Sequence, residues 1–76
     1  MNDWRILFGQ NLRYLRKVHG LTQVEMARIV AVSVSSYRKM EHSDPRVRIH
    51  SGRVRRICDH FDISSDAILR QLLEEK

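Results

Sequence analysis

The residues with the widest chemical reach in this chain are one cysteine, four histidines, and fourteen lysines and arginines. Cys58 and His60 lie two positions apart, which on a helix is about 200° of rotation. They face opposite sides and make neither a nucleophile–base pair nor a shared metal site. Cys58 reads as a small buried hydrophobe. His19, His42, His50 and His60 show no ligand spacing. No phosphate-binding glycine loop, dinucleotide loop or zinc-hydrolase pattern occurs. The sequence therefore implies no enzyme, no metal, no cofactor and no small-molecule substrate, and its chemistry is that of its cations.

Those cations are unevenly placed. Residues 37–56 carry seven (Arg38, Lys39, Arg46, Arg48, Arg53, Arg55 and Arg56) against Glu41 and Asp44. Residues 1–36 carry five against two acids, and residues 57–76 carry two against five. The net charge is +5, and the middle of the chain is a basic patch suited to an anionic partner. The acidic end would stay away from phosphates. At 76 residues the chain is expected to be a single domain without an effector or cleavage domain. A core this small is often completed by dimerisation. A lone cysteine excludes an intrachain disulfide and points to a reducing cytoplasm. The longest apolar run, Ile29 to Val32, is far short of a membrane span.

Periodicity and caps place five helices. Asn2 or Asp3 can cap the first, whose stripe is Trp4, Phe8, Leu12 and Leu15, and Gly20 ends it. Thr22 and Glu25 form a capping box for the second, with Met26, Ala27 and Val30 inward. Ser33 caps a third from about Val34 to His42, with Tyr37 and Met40 inward and Ser35, Arg38 and Lys39 outward. In isolation Val30, Val32 and Val34 alternate like a strand, but the helical flanks and cap spacing favour helix. Ser43-Asp44-Pro45 breaks the chain, and a basic loop over 46–50 tucks in Val47 and Ile49. Ser51 is expected to cap a fourth helix over 52–61, with Val54, Ile57, Cys58 and Phe61 inward. Ser64 is expected to cap a fifth over 65–74, with Ile68, Leu69, Leu72 and Leu73.

Two short helices joined by a very tight turn, here about residues 22–42, are the helix-turn-helix pattern. The run Leu21-Thr22-Gln23-Val24-Glu25-Met26-Ala27, through Ala31-Val32-Ser33, to Tyr37-Arg38-Lys39-Met40-Glu41 resembles the Cro/lambda-repressor type, also called the xenobiotic-response-element family. Asn11-Leu12-Arg13 and Arg16 look like that family's first helix. Ile57, Cys58, Phe61, Ile63, Ser64, Asp66, Ile68 and Leu69 look like its fourth and fifth. Nearly the whole chain is covered.

The resemblance implies an all-α, five-helix domain that binds double-stranded DNA as a transcriptional regulator, expected to be a repressor. Ser33, Val34, Ser35 and Lys39 would then meet base edges in the major groove. Gln23, Ser36, Arg38, Arg46 and Arg48 would contact phosphates, and Arg16 would pair with Glu41 as a structural ion pair. Ala31 stands where the family usually has glycine, and the loop after Glu41 is longer than usual. Arg53, Arg55 and Arg56 receive no role. Leu72 and Leu73 exceed what a small core needs; they either complete the core or form a two-fold homodimer interface, the latter expected, with two recognition helices about 34 Å apart on a near-palindromic operator. The rival reading is a protein-interaction module, such as the antitoxin half of a toxin–antitoxin pair, for which DNA autoregulation is secondary. RNA binding is disfavoured, because no aromatic cluster is present.

Overall fold

The structure, a computed structural model, describes residues 4–73. Five helices follow in order: α1 Trp4–Val18, α2 Gln23–Val30, α3 Val34–Glu41, α4 Ser51–Phe61 and α5 Ser65–Arg70. No strand occurs among the described residues, so the all-α, five-helix expectation holds. The Asn2 or Asp3 cap and the acidic Glu74 and Glu75 lie outside the described residues. No described helix is long and apolar enough to cross a membrane.

Phe8, Leu12 and Leu15 of α1 are buried as their spacing requires, together with Met26, Ala27, Val30, Tyr37, Met40, Val54, Ile57, Cys58 and Ile68. Trp4 departs from its expected stripe and is 41% exposed. Helical side chains lean toward the N-terminus, so a ring on the first helical residue overhangs the end. It meets Phe8 at 6.1 Å between centroids and lies under the Arg5 guanidinium at 5.5 Å. Phe61, expected inward, is half-buried and meets the His19 ring at a tilt, with centroids 4.9 Å apart.

Three helices open on the expected hydroxyls. The Thr22 hydroxyl accepts from the Glu25 N–H, and the Glu25 carboxylate accepts from the Thr22 N–H. Ser33 accepts from the Ser36 N–H and Ser64 from the Ala67 N–H. The fourth helix departs from expectation. Its N-cap is His50, not Ser51, and no side chain caps it. The His50 carbonyl already accepts from the N–H groups of Arg53 and Val54, which draws Ser51 into the first turn.

Four helices stop by one device. The N–H groups of Leu21, Val32, Asp44 and Ile63 reach back five residues, to the carbonyls of Arg16, Ala27, Lys39 and Cys58, at 2.9–3.0 Å. This closure needs a left-handed residue just before each donor. Those residues are Gly20, Ala31, Ser43 and Asp62, with φ of 64°, 66°, 59° and 54°. Only the first is a glycine, so the tight turn between α2 and α3 adopts its left-handed residue at alanine's expense.

The fifth helix is shorter than the expected 65–74 span, and a buried amide explains why. Asn11 is fully buried, and its Nδ2 donates to the carbonyls of Ile68 (2.8 Å) and Gln71 (2.7 Å). Its Oδ1 accepts from the Leu73 N–H (2.9 Å). A further helical turn would need the Ile68 carbonyl to accept from Leu72. Asn11 takes that carbonyl, Gln71 turns extended, and α5 is tied to α1. Leu72 is left 48% exposed, while Leu73 packs against the core.

The end of α3 is fastened to α1 in two ways. Arg16 Nε donates to Glu41 Oε2 at 2.7 Å, and its Nη2 donates to Oε1 at 3.3 Å. The two side chains are 18% and 5% exposed, so the expected Arg16–Glu41 pair exists and is largely shielded. About two turns earlier in α1, a Cβ on Gly9 would stand 2.7–2.8 Å from the Met40 and Glu41 carbonyl oxygens and from Ser43 Oγ. No side chain fits there. Burial works against the Glu41 charge, but hydrogen bonds led by Arg16 outweigh it and hold the carboxyl below its usual range. Burial, with Glu41 close by, pushes the Tyr37 phenol far up.

Two predictions concern stability. Ala31 is exposed, so Ala31→Gly loses no packing while relieving the left-handed strain. It should stabilise the chain by about 1 kcal/mol and raise Tm by about 4–8 °C, and an unchanged or lower thermal midpoint would sink the strain argument. Glu41 titrates below its unfolded value, so its stabilisation is present at neutral pH and lost as pH falls through the folded value. Glu41→Gln should cost about 3 kcal/mol at pH 7 and make the acid loss of stability shallower. Urea titrations at several pH values would read both effects, and an unaltered acid limb contradicts the ion-pair account.

Candidate nucleic-acid interface

α3 has two faces by its own periodicity. Tyr37 and Met40 are buried, whereas Ser35, Arg38 and Lys39 are exposed. Its position follows from Ala27, which is 2% exposed in α2 and small enough to let the two helices approach. Eight residues make α3 about 12 Å long at 1.5 Å per residue, a rod of the size the B-DNA major groove accepts.

The base-reading candidates differ in what they have left to offer. Ser35 and Lys39 stand in solvent. Val34 is half-buried and packs partly on the core. The Ser33 hydroxyl caps the Ser36 N–H and donates to Ser36 Oγ at 3.0 Å, so most of its hydrogen-bonding capacity is spent inside the helix.

The phosphate candidates fall into two groups. Ser36, Arg46 and Arg48 gather with Lys39 around one concavity of about 350 Å³ between α3, the 42–50 loop and the start of α4. His50 and Arg53 complete its rim. Val47 and Ile49 fold inward as expected and pack on the core, which turns Arg48 between them outward. Four cationic side chains and one imidazole thus share one depression, and a concave surface of one sign focuses its field on an anion. Arg46 is held in place by Asp44, with hydrogen bonds of 2.8 and 3.1 Å to its two carboxylate oxygens. Those bonds, with the Arg46 N–H, hold the Asp44 carboxyl down at about 2. Arg46 remains 81% exposed at the side chain.

Gln23 and Arg38 form the second group, away from the concavity. Arg38 Nε donates to Gln23 Oε1 at 3.0 Å, and Gln23 Nε2 faces Glu41 Oε1 at 3.5 Å. The candidate site is therefore coupled directly to the ion pair that anchors α3.

Arg53 was not assigned from sequence. Its place on the rim depends on how the 42–50 loop folds back, which spacing does not reveal. One signal was visible. The first turn of α4 holds no acid but does hold Arg53, whereas helix N-termini ordinarily favour negative side chains. Arg56 has a structural task instead. Its Nε donates to the Ile29 carbonyl at 3.0 Å, supplying one of the acceptors left open at the end of α2 with a partner.

Comparison with known proteins agrees with this architecture. Residues 7–72 match the family described as "Helix-turn-helix domain". Over 58 residues the chain is 38% identical to Antitoxin PezA of Streptococcus pneumoniae serotype 4, which is 76% of this chain and 35% of that protein. The chain thus spans about a third of the length of the curated relative it matches. No solved structure matches the chain significantly. Its own five helices, with α2 and α3 joined through Ala31 to Ser33 and matched from the first helix to the last, place it among known proteins: the chain belongs to the helix-turn-helix domain family.

Proposed function

We propose that this protein is a sequence-specific double-stranded DNA-binding transcriptional regulator of the Cro/lambda-repressor type, a cytoplasmic repressor that binds through this helix-turn-helix domain. One observation carries the reading. The exposed face of α3 lies beside a concavity rimmed by Lys39, Arg46, Arg48, His50 and Arg53, so a groove-sized helix and a phosphate-attracting surface adjoin. Val34, Ser35 and Lys39, with what Ser33 has left, discriminate bases; Val34 suits a thymine methyl and Lys39 guanine O6 and N7. The backbone set is Gln23, Ser36, Arg38, Arg46 and Arg48: the three arginines neutralise phosphates and release counterions, and the uncharged Gln23 and Ser36 help to fix register.

The protein works as a homodimer in this reading. The chain measures 28 × 27 × 22 Å. A two-fold dimer would present its two recognition helices about one DNA turn apart, ~34 Å. Leu72, 48% exposed, supports an apolar contact at the end of α5. A second reading has one specific support, the 38% identity to an antitoxin. In that reading the same fold binds a protein partner and DNA autoregulation is secondary.

Selection from a random duplex library, followed by salt titration of the winner, tests the proposal. The expected result is an enriched inverted repeat, bound at least about a thousandfold more tightly than random DNA. Salt-sensitive binding without enrichment would leave only a basic surface and favour the partner-binding reading. Ser35→Ala and Lys39→Ala should each relax base preference by about 1–3 kcal/mol at one position. By contrast, Arg46→Ala should weaken all duplexes alike and flatten the salt slope by about one. A changed base preference in Arg46→Ala, or an unchanged one in both α3 variants, would contradict these roles.

A further inference from the structure

The side chains of Arg16, Glu41, Gln23 and Arg38 form a continuous relay across α1, α3 and α2. Its links are 2.7 Å, 3.5 Å and 3.0 Å. Chemistry fixes the direction of each link. A carboxylate only accepts and a guanidinium only donates. The Gln23 amide lies between Glu41 and Arg38, so it must turn its nitrogen to the first and its oxygen to the second. Flipping the amide would set oxygen against carboxylate and NH₂ against guanidinium, losing both links.

Gln23 therefore has its oxygen and one of its two amide N–H groups engaged before any DNA arrives. Arg38 spends only Nε on the relay and keeps its two terminal NH₂ groups, the fork that matches a phosphate. Arg38 is exposed while Gln23 is half-buried, so the outward-facing member of the pair is the arginine. Glu41 is 5% exposed at its side chain and anchored by Arg16, which gives the relay a fixed root.

We propose that Gln23 acts not as a phosphate ligand but as a positioning residue, whose amide locks Arg38 as a preset phosphate clamp rooted in the Arg16–Glu41 pair. This rests on the DNA-binding reading above and refines it. An arginine held in one orientation loses less freedom on binding, so it gains affinity by preorganisation without a new contact. Because the lock spans α2 and α3, the clamp also keeps a constant offset from the base-reading side chains of α3.

The test is a double-mutant cycle on the selected duplex, with thermal melts to show that each variant is folded. Arg38→Ala should weaken binding about tenfold and flatten the salt slope by about one. Gln23→Ala should weaken it about threefold. The double variant should be no weaker than Arg38→Ala, because a positioning residue has nothing left to position. In the DNA-free protein, the Arg38 Nε–H resonance should be slow to exchange in the wild type and fast in Gln23→Ala. Multiplicative losses, about thirtyfold in the double variant, would show that Gln23 touches DNA on its own and overturn the clamp. An Nε–H indifferent to Gln23→Ala would overturn it too. A wild type that binds no duplex would remove the DNA-binding reading and the clamp together, whereas wild-type binding with independent losses removes the clamp alone.

Discussion

The contact between the end of α3 and the middle of α1 governs the rest of this structure. Arg16 and Glu41 meet in a two-pronged, mostly shielded ion pair, and Gly9 lets the backbones close to a distance no side chain would allow. A shielded pair is poor evidence of net stabilisation, because desolvation offsets much of the attraction. Its value lies in geometry. A two-pronged guanidinium–carboxylate contact tolerates little rotation, so α3 cannot roll about its axis without breaking it. The face that α3 shows to solvent is set by this contact as much as by the turn at Ala31.

The cations of the basic patch are held in different ways, and the differences separate their tasks. Arg46 is braced by Asp44 within its own loop. Arg38 is braced across helices by Gln23. Arg56 is committed to the backbone of α2. Arg48 has no carboxylate within 4 Å among the described residues. A patch with seven cations against two acids therefore does not offer seven equivalent contacts. Bracing by a neutral amide keeps the full positive charge of Arg38, whereas bracing by Asp44 returns part of the Arg46 charge. On that ground Arg38 is the stronger electrostatic contributor of the two.

Local features were legible in the sequence because their causes are local. The Thr22–Glu25 box, the Ser33 and Ser64 caps, the left-handed Gly20 and the burial of Tyr37 follow from residue type and short spacing. The valines at 30, 32 and 34 read locally as a strand. Cap spacing decided correctly for helix, since Val30 ends α2 and Val34 opens α3. The misreadings arose where a distant group intervened. Nothing near α5 signals its early stop; the cause is Asn11, some sixty residues away in the chain. Ser51 looked like a cap because serine favours that place, yet the His50 carbonyl had already claimed the position.

The same distinction applies within the candidate site. Which arginines lie in the patch could be read from composition, but their tasks could not. Those depend on the pairing of Arg38 with a residue 15 positions earlier and of Arg56 with one 27 positions earlier. Arg16 and Glu41, 25 apart, were foreseen only because a family resemblance supplied the pairing. Without it, Glu41 would count as one of two acids diluting a basic patch. In the folded chain it is shielded from solvent, neutralises Arg16, and orients the amide that holds Arg38. An acid in a phosphate-facing surface is thus consistent with DNA binding when its charge is consumed inward, and Glu41, 5% exposed at its side chain, meets that condition.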